Sequence, residues 1–411
     1  MKKKYKIAII SQSCPPLGGG GVDSAHYNLC LALHNLGYPI AFFTIADTGK
    51  NCSVDPPFVH RFCLPNILKK IIILLCKIYF RIVAPRKVQY QVQDILLCQW
   101  GSLLARFSLK RFNPDILIIP DRGCPGFSIR KIGREKTVLI CHHNPARFSS
   151  PLLFGREVSQ TDIHQAVRIE KYAARFVDSI ICPSQYMADF SKKSHGYKQD
   201  IHVIPNIIDT NIIDSIPKKK IPNICNDEES IVIYIPSGGT AIKGGRYLFE
   251  IVRRLCKFNN NIFFYISGEI SAPLQYEFKE TGLDRNIYSP GSIQYHENIA
   301  YMKSCSICIS PALLENFSMA LFESQYCGIP TVCFDCGGNK EIIINNKTGY
   351  IIPLFDVDKI IEKTIHILRD KNLLHNLSLY SHTHACDLLK KTGVNQYIIL
   401  FNSLFQEKSY E

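Results

Sequence analysis

Two glutamates eight positions apart, Glu315 and Glu323, bracket the stretch of this chain best suited to chemistry, residues 310–350 (SPALLENFSMALFESQYCGIPTVCFDCGGNKEIIINNKTGY). Between them Ser318 is of N-cap type, and Met319, Leu321 and Phe322 supply the apolar side of a helix that follows. A helix start at the C-terminal edge of a parallel sheet offers unpaired N–H groups and the positive end of a dipole, which suits a phosphate. Glu315 precedes that start, and Glu323 lies about five residues into the helix, roughly 7–8 Å along its axis. A diphosphate held there has a carboxylate on each side. Carboxylates are poor partners for phosphates and good acceptors for paired sugar hydroxyls. A sugar, a diphosphate and a second sugar, that is, a nucleotide-sugar, is the ligand class that fits. The spacing alone is a weak signal, because a chain with 35 acidic residues contains such pairs by chance.

The elements that must position these side chains are legible around them. Residues 306–310 (SICIS) have the apolar character of a buried strand, and residues 311–315 form the loop after it. Gly328 and Pro330 stop the helix, residues 331–334 are a second strand, and Gly337-Gly338 breaks it into another loop before a helix. Three strings therefore occur in order: Glu-Asn-Phe-Ser at 315–318, Glu-x3-Cys-Gly-x-Pro at 323–330 and Gly-Gly-Asn-x-Glu at 337–341. This succession resembles the retaining nucleotide-sugar transferases of glycosyltransferase family 4. The resemblance implies an α/β chain of GT-B fold, two facing Rossmann-like domains with an interdomain cleft. It also implies glycosyl transfer with retention, no metal and no cofactor. In that reading Glu315 holds the hydroxyls of the transferred sugar and Glu323 the ribose. The N–H groups of Phe317, Ser318 and Met319, beside Asn316, hold the phosphates.

The N-terminal half follows the same strand, loop, helix plan. Residues 6–11 (KIAIIS) are a buried-type strand, glycines fill 18–21, and Ala25, Leu29, Ala32, Leu33 and Leu36 mark a helix that ends at Gly37. The glycines do not spell G-x-G-x-x-G, so a dinucleotide site is not supported, and a plain connector is the bland alternative. By resemblance, Gly20 and Gly21 lie against the donor phosphate and the acceptor. Residues 40–45 are the second strand; residues 115–120 and 137–141 are two more. The last of these runs into His142-His143-Asn144-Pro145. A histidine past the end of such a strand projects into the ligand crevice or simply caps backbone groups. The family places there a histidine that contacts the transferred sugar; His143 and His142 are both candidates. Arg147 could serve an acceptor phosphate. Glu170-x7-Asp178-x5-Ser184 resembles the end of the family's first domain and residues 201–209 (IHVIPNIID) its interdomain crossing, with Ile207 where relatives usually carry glycine.

The second half opens on a strand at 231–236, and the loop Ser237-Gly238-Gly239-Thr240-Ala241-Ile242-Lys243-Gly244 follows. By resemblance Lys243 is a point-charge contact to the diphosphate. The family's loop arginine is replaced by Ser237 or Gly238, and Arg246 stands three residues beyond Lys243. Residues 287–293 would flank the nucleobase, residues 356–389 are mostly helical, and residues 393–405 resemble a helix that crosses back to the first domain. The domains are thus expected at 1–205 (acceptor), 206–385 (donor) and 386–411 (returning helix).

Composition sets the outer limits. A chain of 411 residues with 46% hydrophobic and 20% charged residues has room for two globular domains. The net charge of +13 admits anionic partners, but no Arg/Lys cluster with aromatic platforms supports nucleic acid. Residues 7–10 are too short for a signal-peptide core, which predicts a cytoplasmic chain whose 17 cysteines stay reduced. The pairs Cys305/Cys308 and Cys333/Cys336 have zinc-type spacing, yet positions three apart on a strand point to opposite faces. No Asp-x-Asp run is poised on a strand end, so a metal clamp is unsupported. Residues 66–87 (NILKKIIILLCKIYFRIVAPRK) have a longest uncharged run of six and cannot span a bilayer. Lys70, Lys77 and Arg81 recur on one side, which suits either an anionic membrane surface or a helix packed on the domain with its lysines in solvent. The expected function is a retaining, metal-independent glycosyltransferase of cell-surface polysaccharide or glycoconjugate synthesis. Its donor is a nucleotide-sugar and its acceptor a glycan or lipid-linked sugar, and it sits in the cytoplasm or on the inner face of the membrane. The alternatives are an inactive nucleotide-sugar-binding subunit and a GT-B-fold nucleotide-sugar epimerase.

Overall fold

The computed structural model describes residues 4–15, 20–46, 55–222, 224, 230–391 and 393–406. The chain divides into two compact units, Met1–Ile207 with Thr392–Glu411, and Ile208–Lys391.

The first unit is built on a seven-stranded parallel sheet. Its strands are β1 (Ile7–Ser11), β2 (Ile40–Thr44), β3 (Val59–Arg61), β4 (Ile116–Pro120), β5 (Lys136–Ile140), β6 (Ser179–Cys182) and β7 (Ile201–Val203), in the order β3-β2-β1-β4-β5-β6-β7. Strands buried on both faces are continuous apolar runs, and alternate residues serve opposite layers. Ile7 and Ile9 pack with Leu29 and Leu33 of α1 (Gly21–Asn35), while Ala8 and Ile10 pack on the other side with Ala105 and Leu109. These two belong to α3 (Gln91–Phe112), which follows α2 (Asn66–Val83). The terminal helix Val394–Phe405 joins the α1 layer through Tyr397, Leu400 and Phe401.

The second unit has a six-stranded parallel sheet, β8 (Ile231–Ile235), β9 (Ile262–Ile266), β10 (Ile287–Tyr288), β11 (Ile307–Ser310), β12 (Thr331–Phe334) and β13 (Gly349–Ile352), in the order β10-β9-β8-β11-β12-β13. Both sheets turn at their first strand: the chain runs outward on one side of β1 or β8, then returns to continue on the other.

The expected strands lie within a residue or two of their observed bounds. The sequence reading missed α3 and the short strands β3, β7, β10 and β13. Tyr350 lies in β13, and the mostly helical region expected at 356–389 consists of the helices Val357–Arg369 and Lys371–Lys391. The turn at Ile207 needs no glycine: its φ is not positive, and its carbonyl accepts from Asn28 Nδ2 at 3.0 Å. Pro16, Leu17, Gly18 and Gly19 of the glycine loop, and residues 223 and 225–229, lie outside the described residues. No helix among the described residues is long and apolar enough to cross a membrane.

Candidate functional site

In the second unit the turning point of the sheet lies between β8 and β11, and loops diverging from such a point leave a crevice at the strands' C-terminal ends. Both loops there are held by backbone contact. Gly244 closes the loop after β8 with φ +77, and a Cβ on it would stand 1.9 Å from the carbonyl oxygen of Pro311, so only glycine fits. Leu313 N–H donates to Ile242 O at 2.8 Å. This brings the Lys243 ammonium to the Glu315 carboxylate, Nζ to Oε1 2.6 Å, with the glutamate the more buried of the two. The loop after β12 grips the same segment from the other side. Gly337 has φ +56 and a Cβ there would meet Glu315 O at 1.9 Å, while Gly338 N–H donates to Asn316 O at 3.0 Å. The Gly-Gly pair thus fixes the backbone of Glu315 and Asn316, while Gly244 seats against that of Pro311 and Lys243 holds the Glu315 carboxylate.

The helix Met319–Tyr326 starts where the sequence placed it, with Ser318 at the N-cap in extended conformation. The expected side-chain cap is absent: the Ser318 hydroxyl makes no cap bond. Among the described residues none accepts a hydrogen bond from the N–H groups of Phe317, Ser318 or Met319. These donors and the dipole behind them form the anion-ready end anticipated from the sequence. The Phe317 ring anchors the turn edge-on against Phe322, with centroids 5.4 Å apart.

Glu323 does not join the Lys243–Glu315 pair. It is buried, its Oε1 accepts from Tyr295 Oη at 3.0 Å, and burial pushes its carboxyl up to about 7 despite that bond. Arg246 is exposed and lies over the Tyr247 ring. Gly238 explains one part of the missing arginine, since a Cβ there would stand 2.7 Å from Ile266 Cγ2. The one Asp-x-Asp run in this region, Asp356-Val357-Asp358, is spent on structure: Asp356 caps the helix Val357–Arg369 and Asp358 pairs with Arg254. The Cys-x2-Cys members likewise go separate ways, Cys305 to Tyr301 O and Cys336 to Ala312 O, with burial raising the thiols of Cys305, Cys308 and Cys333.

In the first unit the turning point lies between β1 and β4. Gly20 and Gly21 begin α1 with nothing within 4 Å of a Cβ on either, so their backbone is open on that side. Asp23 ties the loop down, accepting from Ser11 Oγ at 2.6 Å, Ser13 N–H at 3.1 Å and Gly20 N–H at 3.4 Å. After β4, the Asp121 carboxylate accepts from the N–H groups of His142, His143 and Asn144 at 2.8–3.0 Å, which fixes the loop after β5. The two histidines then part. His142 is buried, with Nε2 2.8 Å from Asn206 Oδ1 and its ring edge-on to His26. His143 is half-buried, with Nε2 2.7 Å from Gln91 Oε1 and its ring beside Phe148. Burial lowers both, His143 to about 3 with help from the cations of Arg122 and Arg147, so both are neutral at ordinary pH. Arg147 is buried, donates to His142 O and lies over the Tyr186 ring.

Four side chains that hold these loops and candidate residues in place are not among those the sequence singled out: Asp23, Gln91, Asp121 and Tyr295. Asp121 had a readable signal, an acid directly after a strand at a turning point, and Asp23 another, an acid at the third helical position after a glycine loop. Gln91 and Tyr295 had none, because their partners lie 52 and 28 residues away.

Two Rossmann-like α/β units with all-parallel sheets, one carrying an open helix start beside a lysine–glutamate pair, define the GT-B class. Residues 215–384 match the family of glycosyl transferases group 1, and residues 19–212 match glycosyltransferase family 4. N-acetyl-alpha-D-glucosaminyl L-malate synthase of Bacillus anthracis is 32% identical over 91% of this chain and 90% of its own length. Among solved structures, sucrose-phosphate synthase from Thermosynechococcus elongatus superposes with TM-score 0.76 at 15% identity, covering 98% of this chain and 99% of that one. Anabaena HepE in complex with UDP-glucose gives 0.68 at 17% identity, over 97% and 99%. Two other curated relatives are matched over only 51% and 55% of their own length. The chain belongs to glycosyltransferase family 4.

Proposed function

We propose that this protein is a retaining glycosyltransferase that moves a sugar from a nucleotide diphosphate sugar to a glycan or lipid-linked acceptor. The observation that carries the reading is the Lys243–Glu315 pair at the sheet's turning point, beside the open N–H groups of 317–319. Without donor each charge neutralises the other. A diphosphate arriving at the helix start competes for the ammonium and releases the carboxylate to accept the hydroxyls of the sugar. Lys243 and the helix end then stabilise the departing diphosphate, and Glu323 accepts from the ribose. The unit Ile208–Lys391 serves the donor and the unit containing β1–β7 the acceptor. Gly20 and Gly21 offer open backbone to phosphate and acceptor, and His143 or His142, both neutral, contacts the transferred sugar. In the retaining scheme of the family, the bond from the sugar's C1 to the diphosphate oxygen breaks, the acceptor oxygen bonds C1 on the same face, and the departing phosphate takes the acceptor's proton. HepE was solved with UDP-glucose, and the B. anthracis relative is named for an N-acetylglucosaminyl product, so a UDP-linked donor is the first to test. In this reading the enzyme works as a peripheral protein on the inner face of a membrane, reached through residues 66–87.

The test is a thermal-shift screen against UDP-, GDP- and ADP-sugars, followed by transfer of radiolabelled sugar to membrane lipid extract. Lys243→Ala is expected to weaken UDP binding about tenfold or more while leaving uridine binding unchanged, because it removes a charge-assisted contact to phosphate alone. Donor binding with no transfer and no hydrolysis would instead support a binding subunit. No stabilisation by any nucleotide-sugar would overturn the reading.

A further inference from the structure

The helix α2 is apolar on two opposite sides. It buries Cys76 and Phe80, yet Ile67, Ile71, Leu74, Leu75, Ile78 and Ile82 are each 46–78% exposed. At about 100° per residue those six fall within an arc of about 100°, centred opposite the buried pair. Lys70, Lys77 and Arg81 line one border of the arc and are exposed. The helix packed against it, α3, repeats the pattern. It buries Ile95, Cys98, Ala105 and Leu109, and on its far side Leu96, Trp100, Leu103 and Phe107 are 41–68% exposed at spacings of four, three and four. Exposed Lys110 and Arg111 follow one turn later. A helix apolar on both sides is ordinarily covered on both.

The charge around this face identifies what covers it. Residues 66–87 contain six lysines and arginines and no aspartate or glutamate. Among the described residues the one acid paired to them is Glu157, on Lys87 at 3.6 Å. An anionic bilayer supplies both complements at once, acyl chains for the isoleucines and leucines and phosphates for the cationic border. We propose that α2 and α3 together form a docking face that enters the headgroup region of an anionic bilayer, with Trp100, the only tryptophan of the chain, inside it. The proposal rests on the membrane contact assigned above to residues 66–87 and adds the outer arc of α2, the second helix and the depth of Trp100.

The experiment is co-sedimentation of the full chain with vesicles of phosphatidylcholine containing about a third phosphatidylglycerol, with Trp100 emission read in parallel. Wild type is expected to bind, to lose affinity with added salt, and to shift its emission to shorter wavelength. Leu74→Glu/Ile78→Glu is expected to lower partitioning by about tenfold or more, and Leu103→Glu/Phe107→Glu by several-fold, since exposed positions are changed and apolar burial is removed. An unchanged melting temperature in both variants establishes that they fold. If wild type ignores these vesicles, the membrane contact itself fails. If it binds through α2 while Trp100 emission and the α3 variant are unaffected, the contact stands and the two-helix face is overturned. A dimer in light scattering that Leu74→Glu/Ile78→Glu dissolves would assign the face to a second copy and overturn the proposal.

Discussion

Glu323 is a candidate site residue whose protonation the fold moves toward working pH. Burial raises its carboxyl from 4.5 to about 7, so between those values the folded chain holds a proton that the unfolded chain has lost. Stability of the ligand-free protein therefore falls as pH rises through that window, by about 3 kcal/mol from this group when complete. On the role proposed for Glu323, a ribose that donates two hydroxyls favours the carboxylate, so donor binding would expel the proton. UDP affinity is expected to rise from about pH 5.5 to 7.5 and then level off, and Glu323→Gln to flatten the profile. Calorimetry in buffers of different ionisation enthalpy checks this directly: wild type should release close to one proton near pH 6 and the variant none. Glu315 and Glu323 stood out in the sequence through a local pattern of strand end and helix start, whereas Lys243 came from resemblance alone. What was not legible is whom they touch. That Lys243 neutralises Glu315, 72 residues on, and that Tyr295 roofs Glu323, depends on loops brought together by the sheet.

The same division holds for elements. Long apolar strands and the helix Met319–Tyr326 announced themselves, whereas β3, β7, β10 and β13 have two to four residues and too little pattern to read. The helix α3 was missed for a different reason: its buried side and its exposed stripe are both apolar, so the contrast that marks an amphipathic helix is lost. Where an element's role is to press one backbone on another, a single carbon atom decides it. Gly337→Ala places a Cβ against Glu315 O at a positive φ, and Gly338 can no longer donate to Asn316 without the loop moving. The variant is expected to lose more than about 2 kcal/mol of stability and to lower transfer far more than Ser318→Ala, whose hydroxyl caps nothing. Melting temperature and turnover of the two variants, measured side by side, decide the matter.

At the scale of the molecule, each half repeats one plan, a parallel sheet reversing at its first strand, and in the second half the Lys243–Glu315 pair stands at that reversal. The repetition was visible as strand, loop, helix in both halves, and the return of the last helix to the first unit followed from resemblance alone. Its energetic weight shows only in three dimensions. Tyr397, Leu400 and Phe401 are buried in the core of the first unit, Phe405 stacks on Tyr5 with centroids 4.8 Å apart, and Tyr5 Oη donates to Asn402 Oδ1. Three large side chains contribute about 6 kcal/mol or more between them, comparable with the whole stability of a domain. A chain stopped after residue 391 is expected to leave the first unit unfolded while the second still melts cooperatively, and supplying residues 392–411 in trans should restore part of the loss. Calorimetry of the truncated chain would refute this if both transitions persisted.

The ribosome meets this arrangement in an awkward order. Residues 1–207 emerge well before the helix that completes their core, which is translated only after residues 208–391. The second unit can therefore mature on the nascent chain, while its predecessor waits, incompletely sealed, for that helix to emerge.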